Sequence, residues 1–377
     1  MVANVNPFYV SGKIPAEYFC DRQEESKQLL SAMTNQLNVV MTSSRRMGKT
    51  SLVDYVFSKP EVINNYNTIS VDILHTTTFR ELIYTLGNAV FNRVASRNER
   101  MLRLFISTLK SLAASFGYDP IQNIPTFDIR LGDIIRPEFT IEEIFRFLEQ
   151  SDEHCLVVID EFQQITKYPE KNVEAILRSH IQKMNNATFI FSGSQRRVME
   201  EMFFSSRRPF FQSAKAIQLL PIAKDEYTRF ALRLFEEYGK RIDAKAVSFV
   251  YDTFKGVTLY IQRIMKDAFA VTPRGGCCDI AMCQKLAEDY IMENDTRLRE
   301  QMAYITEPQK ELLYAIHEEG EVKSISSAAF TRKHRLKSPS AVQSAAIRLL
   351  EDDLITRHEK IYRISDPLMA LWMDRQK

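Results

Sequence analysis

The chain lacks several features that would commit it to a class. It has no excess of charge of one sign. Fifty Lys and Arg oppose forty-eight Asp and Glu, for a formal net charge of +2. That balance excludes a strong global pull toward nucleic acid or an anionic membrane, so any basic surface must be local. No apolar run approaches the roughly 18–20 residues that span a bilayer, and no membrane association is expected. The first residues, MVANVNPFYVSGK, lack the charged start and apolar middle of a signal peptide, which leads us to expect a cytoplasmic protein. Cysteine is sparse: Cys20, Cys155, Cys277, Cys278 and Cys283. An odd count without framework spacing argues for reduced thiols. Cys277, Cys278 and Cys283 could form part of a metal site, but only three are present, two are adjacent and no His lies nearby, so ordinary thiols in a helical region are the expectation. There is also no Ser/His/Asp arrangement, no internal repeat and no low-complexity segment.

What is present is an ordinary folded composition, with 45% apolar and 26% charged residues in a chain of 377. That length allows two or three domains and a sizeable core. Short apolar runs rich in β-branched residues occur at Asn38–Thr42, Thr68–Ile73, Leu156–Ile159, Thr188–Phe191 and Ala216–Leu220. Helical periodicity fills the gaps, as at Phe79–Val94, Ile141–Glu149 and Val173–Met184. This alternation predicts an α/β domain with a mostly parallel sheet covered on both faces. Residues 98–140 fit it poorly and read as an insertion of helix plus irregular chain. After Pro221 the strands stop and helices follow, with breaks near Gly239, Gly256 and Pro273–Gly276. From about Tyr304, a helix at Gln309–Glu318 ends at Gly320, a short Ser-rich stretch and a second helix follow, and a third helix, Ser340–Leu350, precedes a hairpin of Leu354–His358 and Lys360–Ile364. Three helices and a β-wing spell a winged helix-turn-helix. The expected domains are 1–222 (α/β), 223–300 (an all-α lid) and 301–377 (winged helix).

The chemistry concentrates at Val39–Leu52, where an apolar run enters the loop Ser43-Ser44-Arg45-Arg46-Met47-Gly48 and Lys49-Thr50-Ser51 opens a helix. This is the layout of a phosphate-binding P-loop, in which backbone N–H groups and a helix N-terminus wrap a polyphosphate. Lys49 would reach the β- and γ-phosphates, Thr50 would bind Mg²⁺, and Gly48 lets the backbone approach closely. The full pattern wants a Gly where Ser43 stands. Arg45 and Arg46 lie within the loop, as contacts to phosphate, an acidic partner or the lid, or as exposed loop charges. A second apolar run, Cys155–Ile159, ends in Asp160-Glu161, the Walker B arrangement. Asp160 would hold the Mg²⁺ water shell, and Glu161 is the candidate general base. A third run ends at Ser192-Gly193-Ser194, where Ser194, or secondly Ser192, could touch the γ-phosphate or the lytic water. ATP and Mg²⁺ are the implied cofactors.

Taken together, these pieces resemble an AAA-related P-loop ATPase of the archaeal-type group in the STAND branch, found in archaea and Bacteroides-like bacteria. The matching segments include Phe19-Cys20-Asp21-Arg22-Gln23-Glu24-Glu25, SSRRMGKTSL, LVVIDEFQQI and FIFSGSQ. In the tail they are Ser338–Val342, Leu349–Ile355 and Tyr362–Leu368 with Trp372. The resemblance implies a nucleotide domain, a helical lid and a winged helix, with Phe19 to Arg22 near the adenine or ribose. Three departures stand out. Ser43-Ser44 replaces a leading Gly, and Thr258 replaces the proline of a Gly-x-Pro lid motif. The family's arginine after the third element is missing from Phe210-Phe211-Gln212-Ser213, leaving Arg207 and Arg208 as the nearby substitutes for a charge-stabilising finger.

The tail carries Arg332, Lys333, Arg335, Lys337, Arg348, Arg357, Lys360 and Arg363 against Glu351, Asp352, Asp353 and Glu359. The cluster from Arg332 to Lys337 precedes the recognition helix, where phosphate contacts are common. That helix offers Gln343, Ser344 and Arg348, little for reading bases. Duplex DNA and a docked protein both remain as partners. A trans-acting arginine would require a homo-oligomer. Three functions follow: an ATP-hydrolysing switch, a nucleotide-gated binding module with little turnover, or a DNA-binding regulator that uses ATP structurally.

Overall fold

The computed structural model describes residues 6–95, 99–119, 124–127 and 129–376. These divide into two compact units. One is Lys13–Leu220; the other joins the described N-terminal residues through Gly12 to Pro221–Lys377.

The first unit is built on five parallel strands: β1 (Val39–Thr42), β2 (Asn67–Asp72), β3 (Cys155–Asp160), β4 (Ala187–Gly193) and β5 (Lys215–Gln218), in the order β2-β3-β4-β1-β5. Every residue of β1 and β4 is buried, as a sheet covered on both faces requires. Alternate residues feed opposite cores. Val39 and Met41 pack with Leu29, Leu52 and Val53. Val40 packs with Ile69, Phe191 and the helices Phe79–Ala95 and Pro137–Gln150. Putting β1 between β4 and β5 brings its C-terminal end beside that of β4, with Thr42 in register with Gly193. The ligand-binding crevice of such a sheet lies at those strand ends.

The insertion differs from its sequence reading. It contains the helix Glu99–Thr108 and an antiparallel hairpin, Phe116–Asp119 with Ile124–Phe127. Phe116 stacks on Phe127 at 4.7 Å and Phe105 meets both rings edge-on. The hairpin forms because these aromatics find each other across the chain, which no local periodicity announces. Buried Glu143 accepts from the Ser111 N–H at 3.0 Å, fastening the insertion to the helix Pro137–Gln150.

In the second unit four helices, Lys224–Glu237, Ala244–Thr253, Thr258–Val271 and Ile280–Glu293, are followed by the winged-helix segment. Strands do not stop completely at Pro221: Arg241–Ile242 and Cys277–Cys278 form a two-residue parallel ladder. The Cys278 and Cys283 thiols lie side by side at 3.6 Å. The winged-helix segment holds Glu307–Glu319, Ala328–Lys333, Pro339–Glu351 and the hairpin Ile355–His358/Ile361–Ile364. Ser338 caps Pro339–Glu351 by accepting from the Ala341 N–H. The helical and winged segments are joined by the Tyr260 hydroxyl, which reaches both oxygens of Asp366 at 2.8 and 2.9 Å. The Trp372 indole N–H also donates to Asp295. Phe8 is fully buried in this unit, its ring 5.7–6.0 Å from those of Phe230, Phe235 and Phe269. Asn6 donates to the Lys266 carbonyl beside it. No helix among the described residues is long and apolar enough to cross a membrane.

Candidate functional site

The site forms where three strands of the first unit end. From β1 the chain enters the loop Ser43–Gly48. Ser43 is buried and Ser44 exposed. The loop's left-handed residues are Arg46 (φ 66°) and Gly48 (φ 86°), so Ser43 stands where no glycine backbone is needed. Gly48 then opens the helix Lys49–Phe57, its carbonyl accepting from the Leu52 N–H at 2.9 Å. Its φ is the conformational reason for a glycine there. The Lys49 ammonium, largely buried, donates to the Ser43 hydroxyl at 3.1 Å, and that hydroxyl donates to the Ser44 carbonyl at 2.7 Å. Met47 is buried, Arg46 and Ser51 half-buried, and Arg45 exposed.

From β3 come the two carboxylates. Thr50 donates to Asp160 Oδ2 at 2.8 Å, across 110 residues of sequence. The other oxygen of Asp160 accepts from the Glu161 N–H at 3.0 Å. Glu161 is itself left-handed, at φ 55°, a backbone conformation that costs a non-glycine residue energy. Asp54, half-buried in the helix after the loop, has its carboxyl pushed up by burial, opposed by Lys13 and reinforced by the charge of Asp160.

From β4 comes Ser194, whose hydroxyl donates to Glu161 Oε2 at 2.7 Å. The Gln163 amide donates to the same oxygen. Gln163 was not singled out from the sequence, although it stands in the Asp-Glu-Phe-Gln run. Its room is made by Gly193: a Cβ there would meet Gln163 Oε1 at 2.4 Å and Met199 at 2.6 Å. Ser192, the second choice, is buried facing inward, and its hydroxyl makes no hydrogen bond among the described residues.

Phe19 stacks flat on Tyr55 of the helix after the loop, with centroids 4.2 Å apart. Arg22 is buried, and its guanidinium donates to the carbonyls of Met47 and Leu220 and to Glu25. Arg208 is held by Glu174 and lies 3.8 Å from Glu201. Burial raises the Glu174 carboxyl, against the attraction of that arginine. Arg207 is exposed. Thr258 starts its helix with a buried hydroxyl that lacks a partner among the described residues.

In the winged segment the basic cluster is partly neutralised from within. Lys333 donates to Glu319 at 2.5 Å, Arg348 pairs with Glu351 at 2.9 Å and Arg363 with Glu321 at 2.7 Å. The Glu319 carboxyl is held below its ordinary value, first by the Lys333 ammonium and then by His334. Arg332, Arg335 and Lys337 are exposed and make no ion pair among the described residues.

A family profile described as "Probable winged helix domain" matches residues 297–375. No curated protein sequence matches the chain. Among solved structures, the chain is similar to a Walker-type ATPase of Pyrococcus abyssi, with a TM-score of 0.68 at 18% identity over 98% of this chain and 99% of that one. It is also similar to the ORC2 protein of Aeropyrum pernix in its ADPNP–ADP complexes, with a TM-score of 0.60 at 13% identity, covering 99% and 97%. Cdc6p of Pyrobaculum aerophilum matches at 0.50 and 12%, covering 97% and 95%. At these identities the likeness shows the fold: a P-loop ATPase α/β core with helical segments and a C-terminal winged helix.

Proposed function

We propose that the chain is a Mg²⁺-dependent ATP-binding protein that hydrolyses ATP slowly, as a switch coupled to its winged helix. The observation that carries this is the continuous run of contacts Thr50–Asp160–Glu161–Ser194 across three neighbouring strand ends. The Aeropyrum protein that shares the fold was solved with ADPNP and ADP, which supports the same ligand class. The donor set suits the group. A hydroxyl and a carboxylate oxygen 2.8 Å apart are hard oxygens of the kind Mg²⁺ takes. When bound, Mg²⁺ supplies neutralisation of charge on the β- and γ-phosphate oxygens.

The chain's own residues do the rest. Gly48 and the helix N-terminus present backbone N–H groups to the phosphates. Lys49 leaves Ser43 to pair with a phosphate oxygen. Glu161 receives the proton of the attacking water, with Ser194 and Gln163 fixing its carboxylate through Oε2 so that Oε1 is the accepting oxygen. Two features predict slow turnover: Ser43 competes for Lys49, and Arg208 is committed to Glu174. We assign no step to Arg207 or Arg208. The deciding experiment is steady-state phosphate release by wild type beside Glu161→Gln, with ATP binding measured on both. Wild type is expected to release phosphate well above a variant that still binds. Equal release would leave a binding module without hydrolysis.

A second activity, contact with duplex DNA, is supported by the exposed cations Arg332, Arg335 and Lys337. Three phosphate contacts predict a salt dependence of log K with slope about −3. No duplex binding at low salt, or a slope near zero, would remove this reading.

A further inference from the structure

We infer that Arg22 is a positioning residue of the phosphate loop: through the Met47 carbonyl it sets the direction of the Gly48 N–H. The inference rests on the nucleotide site proposed above and adds to it a residue outside the loop.

Its side chain is 5% exposed. Nη2 donates to the Met47 carbonyl at 3.2 Å, and Nη1 donates to the Leu220 carbonyl at 2.6 Å and to Glu25 at 2.8 Å. The peptide joining Met47 to Gly48 is planar and trans, so its C=O and N–H point in opposite directions. Drawing the carbonyl toward Arg22 therefore turns the Gly48 N–H the other way. Gly48, left-handed at φ 86°, is a position where this peptide could otherwise rotate at little steric cost. A guanidinium at the carbonyl end also polarises the peptide, which strengthens its N–H as a donor to an anion.

The backbone argues for the same role. Asp21 (φ 52°) and Arg22 (φ 67°) are two successive left-handed non-glycine residues. Such strain persists only where surrounding contacts over-determine it. Here it brings a buried guanidinium between the loop and Leu220, the last residue before the chain leaves this unit. Glu25, in the first turn of the helix Gln23–Thr34, anchors the charge. The residue type fits the task. A planar fork can serve two carbonyls and a carboxylate at once, whereas a lysine ammonium on a flexible stem cannot hold the same geometry.

Placement beside a base and placement behind the loop predict different ligand dependence. A residue acting through the loop affects any polyphosphate; a residue touching the base or ribose affects only nucleotides. The test is calorimetric titration of Mg-ATP and of Mg-tripolyphosphate into wild type, Arg22→Ala, Arg22→Lys and Lys49→Ala, each checked for folding by circular dichroism. Loss of a charge-assisted hydrogen bond predicts that both ligands bind Arg22→Ala about tenfold more weakly. Arg22→Lys, which keeps the charge and the buried stem, is expected to show the same loss for both and serves if the alanine variant does not fold. Wild-type affinity for tripolyphosphate in a folded Arg22 variant would overturn the inference, whether or not ATP binding falls. If wild type binds no Mg-ATP, or Lys49→Ala binds it unchanged, the nucleotide reading fails and this inference with it, a result distinct from failure at Arg22 alone.

Discussion

Replacing Ser194 by alanine tests the link from β4 to the proposed base. The substitution removes one hydroxyl that donates to Glu161 Oε2 at 2.7 Å and leaves the Gln163 amide on the same oxygen. A hydrogen bond to a charged group is worth about 1.5–3 kcal/mol. Because Gln163 keeps the carboxylate from being orphaned, the lower part of that range applies, about 1.5–2 kcal/mol. If the whole of it falls on the barrier, phosphate release slows about 10–30-fold. The assay is single-turnover phosphate release at saturating Mg-ATP, in the wild-type background and in Glu161→Gln. Ser194 acts through Glu161, so its removal should slow the wild type and change nothing in the glutamine background, a fully non-additive cycle. The same drop in both backgrounds would mean that Ser194 works on something other than Glu161. An unchanged wild-type rate would mean that the hydrogen bond has no part in the reaction.

Two further outcomes follow from the same unit. Ser43→Gly removes the 3.1 Å hydrogen bond from the Lys49 ammonium to the Ser43 hydroxyl and should tighten Mg-ATP binding about three- to tenfold, while Lys49→Ala should abolish it. Unchanged affinity in both variants, by calorimetry, would take the loop out of the binding site. Stability should fall on acidification, because burial lowers the pKa of His154 and of His180 below the ordinary 6.5. The folded state then binds fewer protons than the unfolded one, so their contribution is fully present above about pH 6.5 and is lost as pH drops below it. A thermal midpoint that stays level from pH 7.5 to 5.5 would contradict this, and His180→Phe, which keeps the stack on Phe145, should reduce the loss.

Much of the fold could be read in advance where local pattern and burial coincide. All five strands lie within two residues of their expected bounds; the three central ones are apolar runs buried on both faces, while Asn67–Asp72 and Lys215–Gln218 at the sheet edges are partly exposed. The helix Pro339–Glu351 was legible from Ser338-Pro339, and the wing from the two short segments on either side of Glu359. Contacts made at long range were less visible. The hairpin at Phe116–Phe127 depends on rings brought from Phe105 and Phe91. The ladder at Cys277–Cys278 depends on Arg241–Ile242. Within the site, the residue types of the loop and of Asp160–Glu161 were plain, but their partners were not. That Ser43 serves Lys49, that Gln163 shares Glu161 with Ser194, and that Arg22 addresses Met47 are all consequences of three-dimensional neighbours. The tail's basic run likewise looked more charged than it is, since Glu319 and Glu321 reach Lys333 and Arg363 only after folding.

Phe8 has a consequence for the order of events during synthesis. It leaves the ribosome ahead of Lys13–Leu220, yet its partners Phe230, Phe235 and Phe269 are made more than two hundred residues later. Domains tend to fold as they emerge, so the Lys13–Leu220 unit can close while this aromatic ring is still in solvent. The segment that opens the chain is thus among the last to find its place. While the chain beyond Leu220 is still being made, an unburied Phe8 marks the nascent protein as unfinished.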